Sequence, residues 1–163
     1  MEIHGLIHTF PKHIKLFIAS FVIILSIGYG TGLLFVSATD SNNPNGIEEN
    51  YLGNEDDEDA AVMRFKKSDR EMLTTLHSHI LSMSFIFFFM GALMAITSLP
   101  KKLKSFLMVE PFISIILTFG GIYLLWSGIL WMKYVVMISG IVMTGVFITS
   151  VLAILFQLLK TEN

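Results

Sequence analysis

The sequence predicts an all-α integral membrane protein, a four-helix transmembrane bundle with both chain ends in the cytoplasm (N-in/C-in). Three observations predict it. Of the 163 residues, 53% are hydrophobic and 15% are charged, against about 25% charged in a soluble domain. With a mean hydropathy of +0.69, so short a chain cannot hide its apolar surface from water, and lipid must be the solvent for most of it. Four apolar runs each reach the ~20 residues needed to cross the hydrocarbon core. The lysines beside those runs fall at alternate ends, as four successive crossings require.

Residues 1–13 form a short cytoplasmic head. His4 and His8 are four apart, a spacing that puts two imidazoles on one helical face, as some metal sites need. Gly5 and Pro11 weaken a helix there, and Glu2 is the only nearby carboxylate, so an interfacial turn with solvated histidines is expected. Residues 14–36 are the first span. Gly28 and Gly32 give it a small-xxx-small face, which lets two backbones approach in lipid. Val36-Ser37-Ala38 resembles a signal cleavage site, but the apolar run exceeds the 7–15 residues of a signal core. A retained helix is expected.

Residues 37–73 make an acidic outer loop and the start of the next helix. Asp40 to Gly46 is dense in turn formers. Glu55-Asp56-Asp57-Glu58-Asp59 places five carboxylates in a row, which repel one another and are expected to stay solvated and mobile. The alternating ligands and sharp glycine turn of a calcium loop are absent. Ser68-Asp69-Arg70-Glu71 has the form of a capping box. A helix from there to about Ser98 is about 45 Å long at 1.5 Å per residue, longer than the ~30 Å hydrocarbon core. Its first two turns should therefore stand in or above the headgroups.

Residues 74–99 are the second span, ended by Pro100. Residues 100–105 are a cytoplasmic loop with Lys101, Lys102 and Lys104. Residues 106–126 are the third span, with Glu110-Pro111 in its first turns. Residues 127–130 are an outer turn between Trp126 and Trp131, which suit an aromatic belt. Residues 131–159 are the fourth span, with Ser139, Gly140, Gly145 and Ser150 as small residues, and 160–163 are the tail. Under the positive-inside rule, Lys12 and Lys15, the 100–105 lysines and Lys160 lie inside. The acidic loop and the tryptophan turn then lie outside, and its length lets the loop cross with its own Arg64, Lys66, Lys67 and Arg70.

The candidate functional residues are His77 and His79, at the outer end of the second span. Ionisable groups in a membrane segment are functional candidates by default. Residues i and i+2 lie about 200° apart on a helix, so the pair cannot chelate one ion while the helix is regular. His77, Ser84, Gly91 and Ser98 repeat every seven residues, with Leu81, Phe88 and Ala95 between them. Such a small or polar seam is the packed face in lipid. His77 is therefore expected to point into the bundle, and His79 to join Thr75, Ser78 and Ser82 in a separate outer patch. A neutral imidazole there can ligate b-type haem, hold a metal ion or bond a quinone. Within one chain the second ligand would be Met132 or Met137, near the outer end of the fourth span. Otherwise it comes from a second subunit. Glu110 is a second candidate, read as an interfacial carboxylate beside Pro111.

The run Ser78-His79-Ile80-Leu81, then Ser84-Phe85-Ile86-Phe87-Phe88-Phe89-Met90-Gly91 and Leu99-Pro100-Lys101-Lys102-Leu103-Lys104, resembles a poorly characterised group of bacterial four-helix membrane proteins. The likeness covers about Thr74 to Leu159. Members carry a His-x-His near the start of the second span, matched here by His77 and His79. They often carry a c-type cytochrome segment in the first outer loop. This chain has no cysteine, so that segment, with its C-x-x-C-H attachment, is absent, as are disulfides and thiolate metal sites. The resemblance implies an inner-membrane protein associated with respiratory electron transfer. The rival expectation is a non-catalytic accessory or assembly subunit, and a small transporter or channel ranks third. Partners expected are the lipid bilayer and other membrane subunits or a second copy. Nothing supports hydrolysis, because no nucleophile–base pair appears. Nucleic-acid binding is not expected either, since the basic residues suit juxtamembrane anchoring.

Overall fold

The computed structural model describes residues 5–55, 57 and 62–159. After a 3₁₀ turn, Leu6–Thr9, come α1 (Lys12–Ala38), α2 (Pro44–Leu52), α3 (Asp69–Ala95), α4 (Lys101–Trp126) and α5 (Met132–Leu159). The described residues contain no strand. Helices α1, α3, α4 and α5 have 26 to 28 residues, about 40 Å each, and each is apolar enough to cross a membrane. Their connections place the start of α1, the end of α5 and the α3–α4 turn at one end, the terminal end. The segment between α1 and α3 and the α4–α5 turn form the loop end.

The best-packed interface joins α4 and α5. On α4 the buried stripe is Leu107, Pro111, Ser114, Thr118, Gly121 and Leu125. On α5 it is Val136, Ser139, Met143, Phe147, Ser150, Ile154 and Gln157. Both are built from steps of three and four, the pattern that keeps one seam against a neighbour. Glycine is required where the stripes cross most closely, because a Cβ on Gly121 would lie 2.9 Å from Cγ2 of Val136. Helix α3 packs on α4 and buries Phe87, Met90, Gly91 and Met94, with Phe87 edge-on to Phe147 of α5. Helix α1 is the least enclosed and buries only Ile18, Val22 and Tyr29. Tyr29 anchors it: the ring stacks on Phe147 with centroids 4.0 Å apart, meets Phe87 edge-on at 6.5 Å, and its hydroxyl lies 3.2 Å from Oγ1 of Thr144.

At the terminal end, α3 stops at Ala95, short of the expected Ser98. Its last carbonyls find donors outside the helix, which is how a helix end is satisfied. Lys104 Nζ donates to the carbonyls of Ala95 at 2.9 Å and Thr97 at 2.7 Å. The head folds back to donate from Gly5 N to Thr97 O and from Ile7 N to Ile96 O, each 3.2 Å. The buried Gln157 accepts at Oε1 from both N and Oγ of Ser98, at 2.7 and 3.1 Å. Of the His4–His8 pair, His8 is half-buried and His4 lies outside the described residues.

The loop end departs from expectation, because α2 occupies a segment read as turn and solvated loop. Asn43 caps it by accepting from Gly46 N at 3.0 Å, with Pro44 at its first position, where a missing N–H costs nothing. Turn formers and helix-start residues are the same residue types, so Asn-Pro served the second role. Ile47 is buried, and α2 packs on α4 and α5. Glu48 pairs with Lys133 at 2.5 Å. The returning segment of the loop closes on the same end: Asn54 N donates to Arg64 O at 3.0 Å, and Arg64 pairs with Asp40 at 3.0 Å. Burial pushes the Tyr51 phenol above its ordinary value. Trp126 donates from Nε1 to Lys67 O at 2.8 Å, with Lys66 Nζ 5.2 Å over its ring. Asp56, Glu58 and Asp59 of the acidic run lie outside the described residues.

Candidate functional site

The Ser68 capping box forms in full. Ser68 Oγ accepts from Glu71 N, and the Glu71 carboxylate accepts from Ser68 N at 2.8 Å. This fixes where α3 begins and hence how its two histidines are turned. His77 is exposed, not packed in the seam. The face turned inward is Met72, Leu76, Met83, Phe87, Met90 and Met94. The heptad from Gly91 back to His77 fails for a geometric reason. A straight helix drifts about 20° per seven residues, so a seam buried at Gly91 has rotated outward two heptads away. Met72 and Leu76 take the inner positions there.

His79 is the histidine that meets another helix. Its ring centroid lies 5.4 Å from that of Phe119 on α4, tilted by 40°. Its Nδ1 lies 2.9 Å from the Thr75 carbonyl oxygen. A carbonyl can only accept, so Nδ1 carries a proton, and in the neutral ring it is Nε2 that holds the lone pair. That is the tautomer in which a backbone carbonyl orients a ligating imidazole. The side chain is exposed, so Nε2 is accessible from outside the chain. Met132, at the first turn of α5, and Met137 are half-buried and pack against the core. The neighbour that α3 and α5 chiefly share is α4. Among the described residues no three His, Cys, Asp or Glu side chains gather as a metal site.

A second constellation lies inside the bundle, centred on Glu110. This residue comes nine positions after Lys101 in a 26-residue helix, about 13 Å along a length of about 39 Å. It is therefore nearer the middle of α4 than its end, in the third turn and not the first. Its Oε1 accepts from the hydroxyl of the buried Ser114, one turn on. Its Oε2 is buried and has no partner. Further along the same interface the buried Thr118 and Ser139 hydroxyls meet at 2.7 Å. Sequence reasoning missed Ser114 and Tyr29. Ser114 was legible as the i+4 partner of Glu110, whereas Tyr29 gives no local signal, because its partners come from α5.

A family model described as a transmembrane helical domain (Aq_1264_TM) matches residues 41–163. The chain belongs to this family. No curated protein and no solved structure matches the chain. Membership establishes a multi-pass transmembrane helical domain, in agreement with the four long apolar helices. The matched region holds His77, His79, Met132, Met137, Glu110 and Ser114. Tyr29 lies on α1, before it.

Chemically, the two constellations differ in kind. The histidine pair offers lone-pair donors to something outside the chain. The Glu110 group is a half-buried carboxyl whose hydrogen-bond donor, Ser114, is the chain's own.

Proposed function

We propose that this transmembrane helical domain is a subunit of a respiratory redox assembly in the bacterial inner membrane. In this reading both termini are cytoplasmic and the loop end faces outward. His79, with His77 beside it, supplies a ligand to a b-type haem or metal ion whose remaining ligands come from another chain. The observation that carries the reading is the Nδ1 contact of His79 with the Thr75 carbonyl, on an exposed ring. It fixes the tautomer in which the outward-facing Nε2 can ligate. The i, i+2 divergence of the two imidazoles supports a shared site between chains over a site within one. When bound, a haem or metal ion would supply one-electron chemistry near the outer surface. This chain's part is to hold the imidazole in orientation.

The test is an optical spectrum and metal analysis of the protein purified from its native membrane in mild detergent. A haem band or stoichiometric metal is expected, lost in His79→Ala and weakened in His77→Ala. Absence of both haem and metal from the wild-type preparation refutes the ligand role.

A second reading, a non-catalytic assembly subunit, is favoured by the sparse enclosure of α1. A Cβ on Gly28, Gly30 or Gly32 would meet nothing within 4 Å. It predicts co-purifying chains and indifference to both histidine substitutions.

A further inference from the structure

We propose that the loop-end turns of α3 form a phospholipid site. Lys67 and Arg70 hold the phosphate of an anionic phospholipid, and the exposed face of the same helix carries its acyl chains. The site goes beyond the redox reading and does not rest on it.

Four basic residues lead into α3: Arg64, Lys66, Lys67 and Arg70. Arg64 pairs with Asp40, and Lys66 lies over the Trp126 ring. Lys67 and Arg70 enter neither ion pair found among the described residues. They line instead an open cleft with Glu71, Thr74 and Thr75. The backbone fixes the cleft in place. Lys67 N donates to Tyr51 O at 3.2 Å, and Lys67 O accepts from Trp126 Nε1 at 2.8 Å. Arg70 stands in the first turn of α3, which the Ser68 capping box holds. Two cations against the one Glu71 carboxylate leave the cleft with a positive charge in excess. A lipid with a phosphodiester and an uncharged headgroup neutralises that excess, whereas a zwitterionic lipid leaves it uncompensated. A guanidinium also matches phosphate oxygens in a two-pronged fork.

Below the cleft the same face of the helix turns apolar. Arg70, Thr74, His77, Leu81, Phe85 and Phe88 are all exposed. Spaced by three and four, they fall within a sector of about 80°. The buried face, with Met72, Phe87, Met90 and Met94, lies on the opposite side of the helix. The stripe therefore points away from the bundle, toward the lipid that surrounds a spanning helix. Arg70 to Phe85 is a rise of about 22 Å, the depth of one leaflet in a bilayer of about 40–45 Å including headgroups. A phosphate at Arg70 thus sets the chains of the same lipid along Leu81 and Phe85. His79, about 200° round from His77, stays clear of the stripe. A second copy packed stripe to stripe in the same membrane would set Arg70 against Arg70, a like-charge contact that opposes it.

The test is native mass spectrometry of the full chain offered phosphatidylglycerol and phosphatidylcholine of identical acyl chains in competition. The wild type is expected to retain phosphatidylglycerol in preference. A basic residue near an anionic surface contributes about a fivefold factor. Lys67→Gln and Arg70→Gln should each lower the preference by about that factor, and together abolish it. The single variants decide the matter even where the double one fails to fold. Lys101→Gln with Lys102→Gln, exposed at the terminal end, should leave the preference unchanged. The proposal is overturned by equal retention of the two lipids, by a preference that survives Lys67→Gln and Arg70→Gln, by one that the terminal-end pair removes, or by a lipid-free dimer. Loss of haem or metal at His79 alters none of these outcomes.

Discussion

Replacing Gly121 by alanine tests the α4–α5 contact at its tightest point. The added Cβ would sit 2.9 Å from Cγ2 of Val136, with Val136 N at 3.9 Å and Met132 O at 4.0 Å behind it. Valine is stiff at χ1, so its methyl cannot swing clear and the helices must separate. Overpacking of this kind costs about 1–3 kcal/mol. Alanine also returns up to about 1 kcal/mol of helix propensity over glycine, which blurs a single measurement. Gly120→Ala removes that ambiguity: a Cβ there meets nothing within 4 Å, so it carries the propensity gain alone. The two variants should differ by about 1–3 kcal/mol, with Gly121→Ala the less stable. Val136→Ala deletes the obstructing methyl and should recover most of the loss in the double variant, a coupling that only contacting residues show. Unfolding in mixed detergent micelles, followed by fluorescence of Trp126 and Trp131, measures the wild type and the four variants. Equal stabilities for Gly120→Ala and Gly121→Ala, or no recovery in the double variant, would refute the packing argument.

Other variants probe the remaining elements. Tyr29→Phe keeps the ring stack on Phe147 and removes the contact with Thr144, so it should cost only about 0.6 kcal/mol, the average for such bonds in membranes. Tyr29→Ala should cost about 3 kcal/mol or more and release α1, seen as faster hydrogen exchange across that helix alone. Ser68→Ala removes the capping box and should cost about 1 kcal/mol, with exchange rising in the first turn of α3. The Tyr51 phenol is raised by burial, so its contribution is in full force below the unfolded value of about 10. It should be lost as pH rises through the higher folded value. Tyrosinate absorbance should lag in the native protein, and Tyr51→Phe should remove that lagging component.

The fold was legible because its cause is one-dimensional. Length and hydropathy alone select helices long enough to cross a bilayer, and Ser68-x-x-Glu71 and Pro100 mark two boundaries by local chemistry. Helix α2 was not legible, because Asn43-Pro44 reads equally as a turn and as a cap. What decides is the tertiary packing of Ile47 and the pairing of Glu48 with Lys133. The rotation of α3 was misjudged for a related reason. A polar heptad through His77 and Gly91 looked like a seam, yet helical drift and the larger Met72 and Leu76 turn His77 outward. His79 gained its contact with Phe119 from α4, which no spacing within α3 could reveal. Glu110 was visible in the sequence, and its place along the helix shifted because α4 begins at Lys101, five residues before the expected span.

The central claim is that the outward imidazole of His79 completes a cofactor site with a second chain. Native mass spectrometry of the assembly released from its own membrane tests it most directly. The account predicts haem or metal on complexes of two or more chains, none on the single chain, and none after His79→Ala. A single chain that retains the group by itself, or complexes that hold neither haem nor metal, would contradict it.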